Sequence, residues 1–173
     1  MKLIRGLPVL HDSRQGVVVT LGAFDGLHLG HQALIARARE RARERNARSM
    51  MLTFEPMPRE YLQPDSAPAR LTNFRERWRL AAASGLDELC VLRFGARLRG
   101  LTGEAFAQLL AQAFGATVIV VGHDFRFGRD GTGTAEGLAA CGQRLGFEVE
   151  VVAPVKGEGE RVSSTAVRES LAA

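Results

Sequence analysis

His28 and His31 stand three residues apart in VVVTLGAFDGLHLGHQ (17–32), where an apolar run gives way to glycines and then to a helical pattern. Val17 to Leu21 reads as a buried strand, the stretch with Gly22, Gly26 and Gly30 as a turn in which glycines let the backbone approach a ligand, and the helix as starting near Leu29. Residues three apart share one side of a helix, so both imidazoles face the same space at its N-terminus. Free backbone N–H groups and the positive dipole end make that terminus a phosphate site. Imidazoles added there, cationic or as hydrogen-bond donors, suit charge that grows on phosphorus during transfer. The glycines are not spaced as G-x-G-x-x-G and no G-K-[ST] follows, so the stretch is neither a dinucleotide fingerprint nor a P-loop.

Two further stretches carry chemistry. In VSSTAVRES (162–170), Ser163, Ser164 and Thr165 open a helix; one hydroxyl is explained by capping, and all three with Arg168 one turn on form an anion grip. In GHDFRFG (122–128), Phe125 and Phe127 are either packing residues or ligand walls, and Asp124 offers a carboxylate between them. With Phe54, Pro56 and Pro58 they make the sides of a slot for a flat aromatic ligand.

The elements that must position these groups alternate along the chain. An edge strand lies within 2–10, with Pro8 excluding a central position, and the strand at 17–21 leads to a helix over 29–46. Strands follow at 49–54, 89–94, 117–121 and 147–152. Helices follow at 73–84 (Asn73 as cap), 103–114, 135–145 and from 164. Four prolines (Pro56, Pro58, Pro64, Pro68) keep 54–72 extended and irregular, and PVKGEGER is a polar loop. Continuous apolar strands alternating with helices predict a parallel sheet with helices on both faces. The loops at 22–31, 54–72 and 122–134 then all emerge at its C-terminal edge, where such sheets bind ligands.

The 173 residues fit one domain. The apolar fraction of 46% contains no run near the roughly 20 residues of a membrane helix, and no signal peptide opens the chain, so the protein is expected to be cytoplasmic, with no membrane partner. Cys90 and Cys141 read as reduced core residues and not as a zinc site. A net charge of +4, nearly all from arginine, fits a binder of polyanions or of phosphorylated small molecules. The arginines at 37–48 interleave with Glu40 and Glu44 at pairing distance, and no aromatic stands among them for base stacking, which excludes nucleic acid as the expected partner.

GAFDGLHLGHQ (22–32), TFEPMPREYL (53–62), RLTNFRERW (70–78), VVGHDFRFG (120–128) and VSSTAVRESL (162–171) together resemble the adenylyltransferase domain of prokaryotic bifunctional riboflavin kinase/FAD synthetases, in order and over nearly the whole chain. The resemblance implies a Rossmann-like nucleotidyltransferase fold over 1–173 and the reaction of ATP with FMN to give FAD and pyrophosphate, with Mg²⁺ accompanying ATP. It implies that Gly22, Ala23, Phe24, Asp25, Gly30 and Ser163 line the ATP site. His28, His31, Ser164, Thr165 and Arg168 would hold the phosphates and the transition state. Phe54, Pro56, Pro58, Asp124, Phe125 and Phe127 would hold FMN. The metal's side-chain ligands stay open.

The family's riboflavin kinase barrel has no counterpart in this chain, although such a module is a possible partner, and riboflavin phosphorylation is not expected. Ala23, Met57 and Ala166 depart from residues common in the family, and RDGTGT lacks a basic residue often found near position 131. These departures motivate a rival reading as a non-catalytic flavin or nucleotide-binding module. A related nucleotidyltransferase acting on another phosphorylated substrate is the second alternative.

Overall fold

A computed structural model describes residues 1–8, 15–157 and 160–173, with the backbone alone for 160 and 161. In chain order the elements are β1 (Lys2–Arg5), β2 (Val17–Leu21), α1 (Leu29–Glu44), β3 (Arg48–Glu55), α2 (Pro58–Leu62), α3 (Phe74–Ala83), β4 (Glu88–Arg93), α4 (Ala96–Arg99) and α5 (Gly103–Gln112). They continue as β5 (Ala116–Gly122), β6 (Arg126–Phe127), β7 (Gly133–Thr134), α6 (Ala135–Leu145), β8 (Glu148–Val152), β9 (Lys156–Gly157), β10 (Glu160–Arg161) and α7 (Ser164–Ala172).

Six strands form one sheet in the order β1-β4-β3-β2-β5-β8, with every neighbouring pair parallel. Successive side chains of a strand point to opposite faces, and here both faces are covered. Val19, Leu21, Leu52 and Ile119 meet Phe106 and Leu110 of α5 and Leu138 of α6. Val18, Met51, Leu89 and Val118 meet Ile35, Ala38 and Ala42 of α1 and Ala81 of α3. The expected parallel sheet with helices on both faces is therefore the observed one. The chain runs outward from β2 through β3 to β4, then returns to place β5 on the other side of β2. That reversal opens a crevice beyond the C-terminal ends of β2 and β5.

Departures from expectation have local causes. The proline-rich 54–72 segment contains α2, because Pro58 stands at its first helical position, where a missing N–H and a fixed φ favour a helix. The polar loop after β8 folds back as the β9–β10 hairpin, and β6 and β7 form a second hairpin. Helix α1 stops at Glu44, since Asn46 turns left-handed at φ 51°. Residues 9 and 10 of the first expected strand lie outside the described residues.

Arg37 and Arg41 pair within α1, with Glu40 and Glu44, and they and Arg45 pair across to Glu148 and Glu150 of the edge strand β8. Cys90 is buried and its thiol is pushed up to about 12 by that burial, whereas Cys141 is only half-buried, beside Glu104; both are free. Among the described residues no helix is long and apolar enough to cross a membrane, and no cluster of His, Cys, Asp or Glu could hold a metal ion.

Candidate active site

The turn after β2 is anchored by its own apolar side chains. Phe24 is fully buried and Leu27 nearly so, both packed with Ile35 and Met51. This burial offsets left-handed backbone at Phe24 (φ 52°) and Leu27 (φ 37°), which costs on the order of 1–3 kcal/mol per residue. Gly26 also has positive φ, and an added Cβ there would meet the Leu71 side chain at 2.9 Å. At Gly30 the space is taken by the His28 ring, 3.0 Å from an added Cβ, so this glycine makes room for the imidazole.

His28 caps α1: its Nδ1 accepts the His31 backbone N–H at 3.3 Å. The rings of His28 and His31 stack with centroids 3.7 Å apart. Burial, reinforced by neighbouring His28, pushes the His31 pKa down to about 3, and burial also lowers that of His28 despite Asp25 nearby. Burial thus favours the neutral form of both imidazoles, most strongly at His31. With Nδ1 of His28 accepting, its proton sits on Nε2, a neutral donor.

Asp25 is the hub that fastens three segments. Its buried carboxylate accepts from the backbone N–H groups of Leu71 (2.9 Å) and Thr72 (2.9 Å), from the Thr72 hydroxyl and from the Arg168 guanidinium. Thr72 Oγ1 accepts in turn from Gly26 N–H at 3.0 Å. Arg168 also donates to the Ala69 carbonyl at 2.8 Å, and the Ser164 hydroxyl donates to the Asp25 carbonyl at 3.1 Å. Ser163 is the α7 cap, accepting from Ala166 N–H at 3.1 Å. Of the grip expected at 163–168, one hydroxyl caps, one tethers, and Arg168 is engaged with Asp25.

A cleft of about 690 Å³ opens over this assembly. Gly22, Ala23, Phe24, Asp25, His28, Gly30 and His31 line one side, and Ser163, Ser164, Thr165 and Arg168 another. Phe54, Pro58, Asp124 and Phe125 line it as well, so most of the residues singled out from sequence meet in one place. The α1 and α7 N-termini both open into it, and exposed Arg59 and Arg126 stand at its rim. Two expected residues lie elsewhere. Phe127 turns into the core, 9% exposed, against Phe106 with ring centroids 5.6 Å apart.

Pro56 lines a second, apolar cavity of about 770 Å³ with Tyr61, Phe94, Leu98, Leu101 and Leu109. The two spaces adjoin across β3: Phe54 in the cleft meets Phe94 edge-on at 5.9 Å, and Phe94 meets Tyr61 at 5.6 Å. Sequence reading missed this cavity, whose lining comes from five separate segments. It also missed Arg77, which is 0% exposed, donates to the Ala23 carbonyl at 2.9 Å and pairs with Glu55 at 2.7 Å. A lone Arg amid Arg75 and Arg79 gives no local sign of burial.

A model of the FAD synthetase family matches residues 10–166. The bifunctional riboflavin kinase/FMN adenylyltransferase of Pseudomonas fluorescens is 44% identical, covering 100% of this chain and 56% of that protein. The protein of the same description from Escherichia coli (strain K12) is 42% identical, covering 99% and 56%. A crystal structure described as a macrolide-efflux protein from Streptococcus pneumoniae superposes with a TM-score of 0.84 at 32% identity, covering 98% of this chain and 56% of that one. The chain thus spans little more than half the length of these relatives.

Proposed function

The chain belongs to the FAD synthetase family, and from that premise we propose that it transfers AMP from ATP to FMN, giving FAD and pyrophosphate. The observation that carries this reading is the two-part site: a cleft of mixed lining into which two helix N-termini open, next to an apolar cavity rimmed by aromatic rings. The first suits a triphosphate and the second a flat tricyclic ring.

In this reading the backbone of Gly22 to Asp25 and Gly30 lines the ATP half, with Ser163 and Thr165 across the cleft. His28 donates from neutral Nε2, and His31, stacked on it, completes the pair at the α-phosphorus. The isoalloxazine lies in the cavity of Pro56, Tyr61 and Phe94, and the FMN phosphate reaches past Phe54 and Pro58 toward the cleft, where Asp124 and Phe125 flank it. An FMN phosphate oxygen attacks the α-phosphorus in line. The new O–P bond forms as the bond to the bridging oxygen breaks, and pyrophosphate leaves with that electron pair. A phosphate monoester with a second pKa of about 6 is already ionised at pH 7, so no protein nucleophile or base is needed. Positioning and N–H donors aimed at the growing charge suffice. Arg168 is within reach of this space, and to grip the β- and γ-phosphates it exchanges Asp25 for them.

Mg²⁺ enters as part of the substrate MgATP. A hard cation of this kind is carried mainly by phosphate oxygens and water. At position 23 the backbone carbonyl accepts from Arg77 and Thr53, a contact that does not depend on the side chain there. Incubation with FMN, ATP and Mg²⁺, followed by chromatography, should yield FAD and pyrophosphate in equal amounts. Tight FMN binding without FAD would instead identify a non-catalytic binding module.

A further inference from the structure

Arg77 heads the fully buried side chains by size, and its bonds lead to the site rather than to the core. One guanidinium nitrogen donates to the Ala23 carbonyl and the other to Glu55, while Nε is buried without a partner. The cation faces a single directly paired carboxylate, and that carboxylate is one-third exposed. A buried ion pair is weak evidence for a stabilising role, since replacing the whole pair by apolar side chains of similar volume is often neutral. The placement of Arg77 on a carbonyl of the phosphate-site turn points to another reason.

Glu55 is shared with Arg70, which also grips Glu60. The Glu60 carboxylate accepts the Met57 N–H at 3.0 Å and so closes the N-terminus of α2. Helix α2 carries Pro58 on the cleft and Tyr61 on the apolar cavity. An unbroken relay therefore runs from Ala23 through Arg77, Glu55, Arg70 and Glu60 to Met57, joining one half of the site to the other.

We propose that Arg77 is a positioning residue that sets the 22–26 turn relative to α2, and with it the distance between the nucleotide and flavin halves of the site. The effect on rate rests on the adenylyl-transfer reading; the mechanical tie does not. In-line attack needs reacting atoms about 3–3.5 Å apart, and a 1 Å misplacement can lose about a hundredfold in rate. Loosening the tie therefore acts on turnover more than on the binding of either substrate alone. A lysine keeps the charge, yet a single ammonium lacks the planar fork that reaches both acceptors.

The test is Arg77→Lys, with two readouts. At saturating ATP and FMN its kcat should fall at least about tenfold, while the Kd of a non-hydrolysable ATP analogue and that of FMN, each measured alone, stay within about threefold. Hydrogen exchange should quicken in 22–26 and in 57–62 together, with β2 and β5 still protected. A folded variant with kcat within twofold of wild type, or with unchanged exchange in both segments, overturns the proposal. So does a loss of rate that merely tracks the unfolded fraction in a thermal melt. If wild type makes no FAD, the functional reading fails and the exchange measurement still decides the role of Arg77. Should the variant not fold, urea-dependent exchange of wild type decides: the two segments open at the same denaturant concentration if tied, and separate openings overturn the tie.

Discussion

Two helix N-termini face the same cleft, and they are held there by different forces. The α1 end is fixed by burial. Phe24 and Leu27 sit in the core before the helix begins, and Ile35, Ala38 and Ala42 pack beneath it. Burying a side chain such as Phe or Leu contributes about 1.5–3 kcal/mol and is not subject to the charge screening that weakens ion pairs. The α7 end has no buried residue among its nine; it is docked by the Ser164 hydroxyl and by Arg168 on Asp25 and Ala69. Such polar ties are fewer, and partly exposed ion pairs weaken with salt. In the proposed reading, the same device for holding phosphate is present once as a platform and once as a clamp. Regions with few buried apolar contacts open at low free energy, so α7 is expected to open more readily than α1.

The largest effect should come from disturbing the platform. His28→Ala or His31→Ala should lower FAD turnover about a hundredfold, the scale of losing one preorganised donor, with far-UV circular dichroism unchanged. If both variants keep full rate, the platform does not carry the charge stabilisation. Next comes the clamp. Arg168→Ala should raise the KM for ATP about tenfold, since a charge-assisted contact contributes about 1.5–3 kcal/mol, and should speed hydrogen exchange in α7 while α1 stays protected. Equal loosening of both helices would erase the distinction between them.

The remaining prediction concerns stability rather than rate, and its variable is pH. In the unfolded chain His31 takes up a proton as pH falls through 6.5, whereas in the fold it stays neutral down to about 3. The unfolded state binds more protons throughout that window, so stability falls as pH drops from 6.5 toward 3. Urea unfolding of wild type and His31→Gln across this range should show the shallower decline in the variant; parallel curves would mean that His31 is not buried neutral.

Much of the architecture was legible because hydrophobic period and caps are local. The helix at 135–145 falls where its pattern places it, and Asn73 caps α3 with Glu76 answering it three residues on. Helix α2 was not legible, since a proline reads equally well as a breaker and as a first helical residue. Phe125 and Phe127 stand two apart on one side of the chain with their rings stacked 5.5 Å apart, and only packing decides that the outer ring lines the cleft while the inner one is buried against Phe106. The arginine run was rightly read as paired, but Glu148 and Glu150 lie too far along the chain for spacing to name them.

The sequence by itself determined the alternation of strands and helices, the loops that gather at one sheet edge, and the paired histidines at a helix start. These follow from periodicity, turn chemistry and i, i+3 geometry, which act within a few residues. Tertiary structure alone decided that burial favours the neutral imidazoles, because burial depends on what packs above them. It decided that Asp25 fastens α7 and that Arg77 joins the two halves of the site, since each bond spans dozens of residues. Hydrogen bonds and desolvation depend on distance in space, and only the closed fold sets that distance.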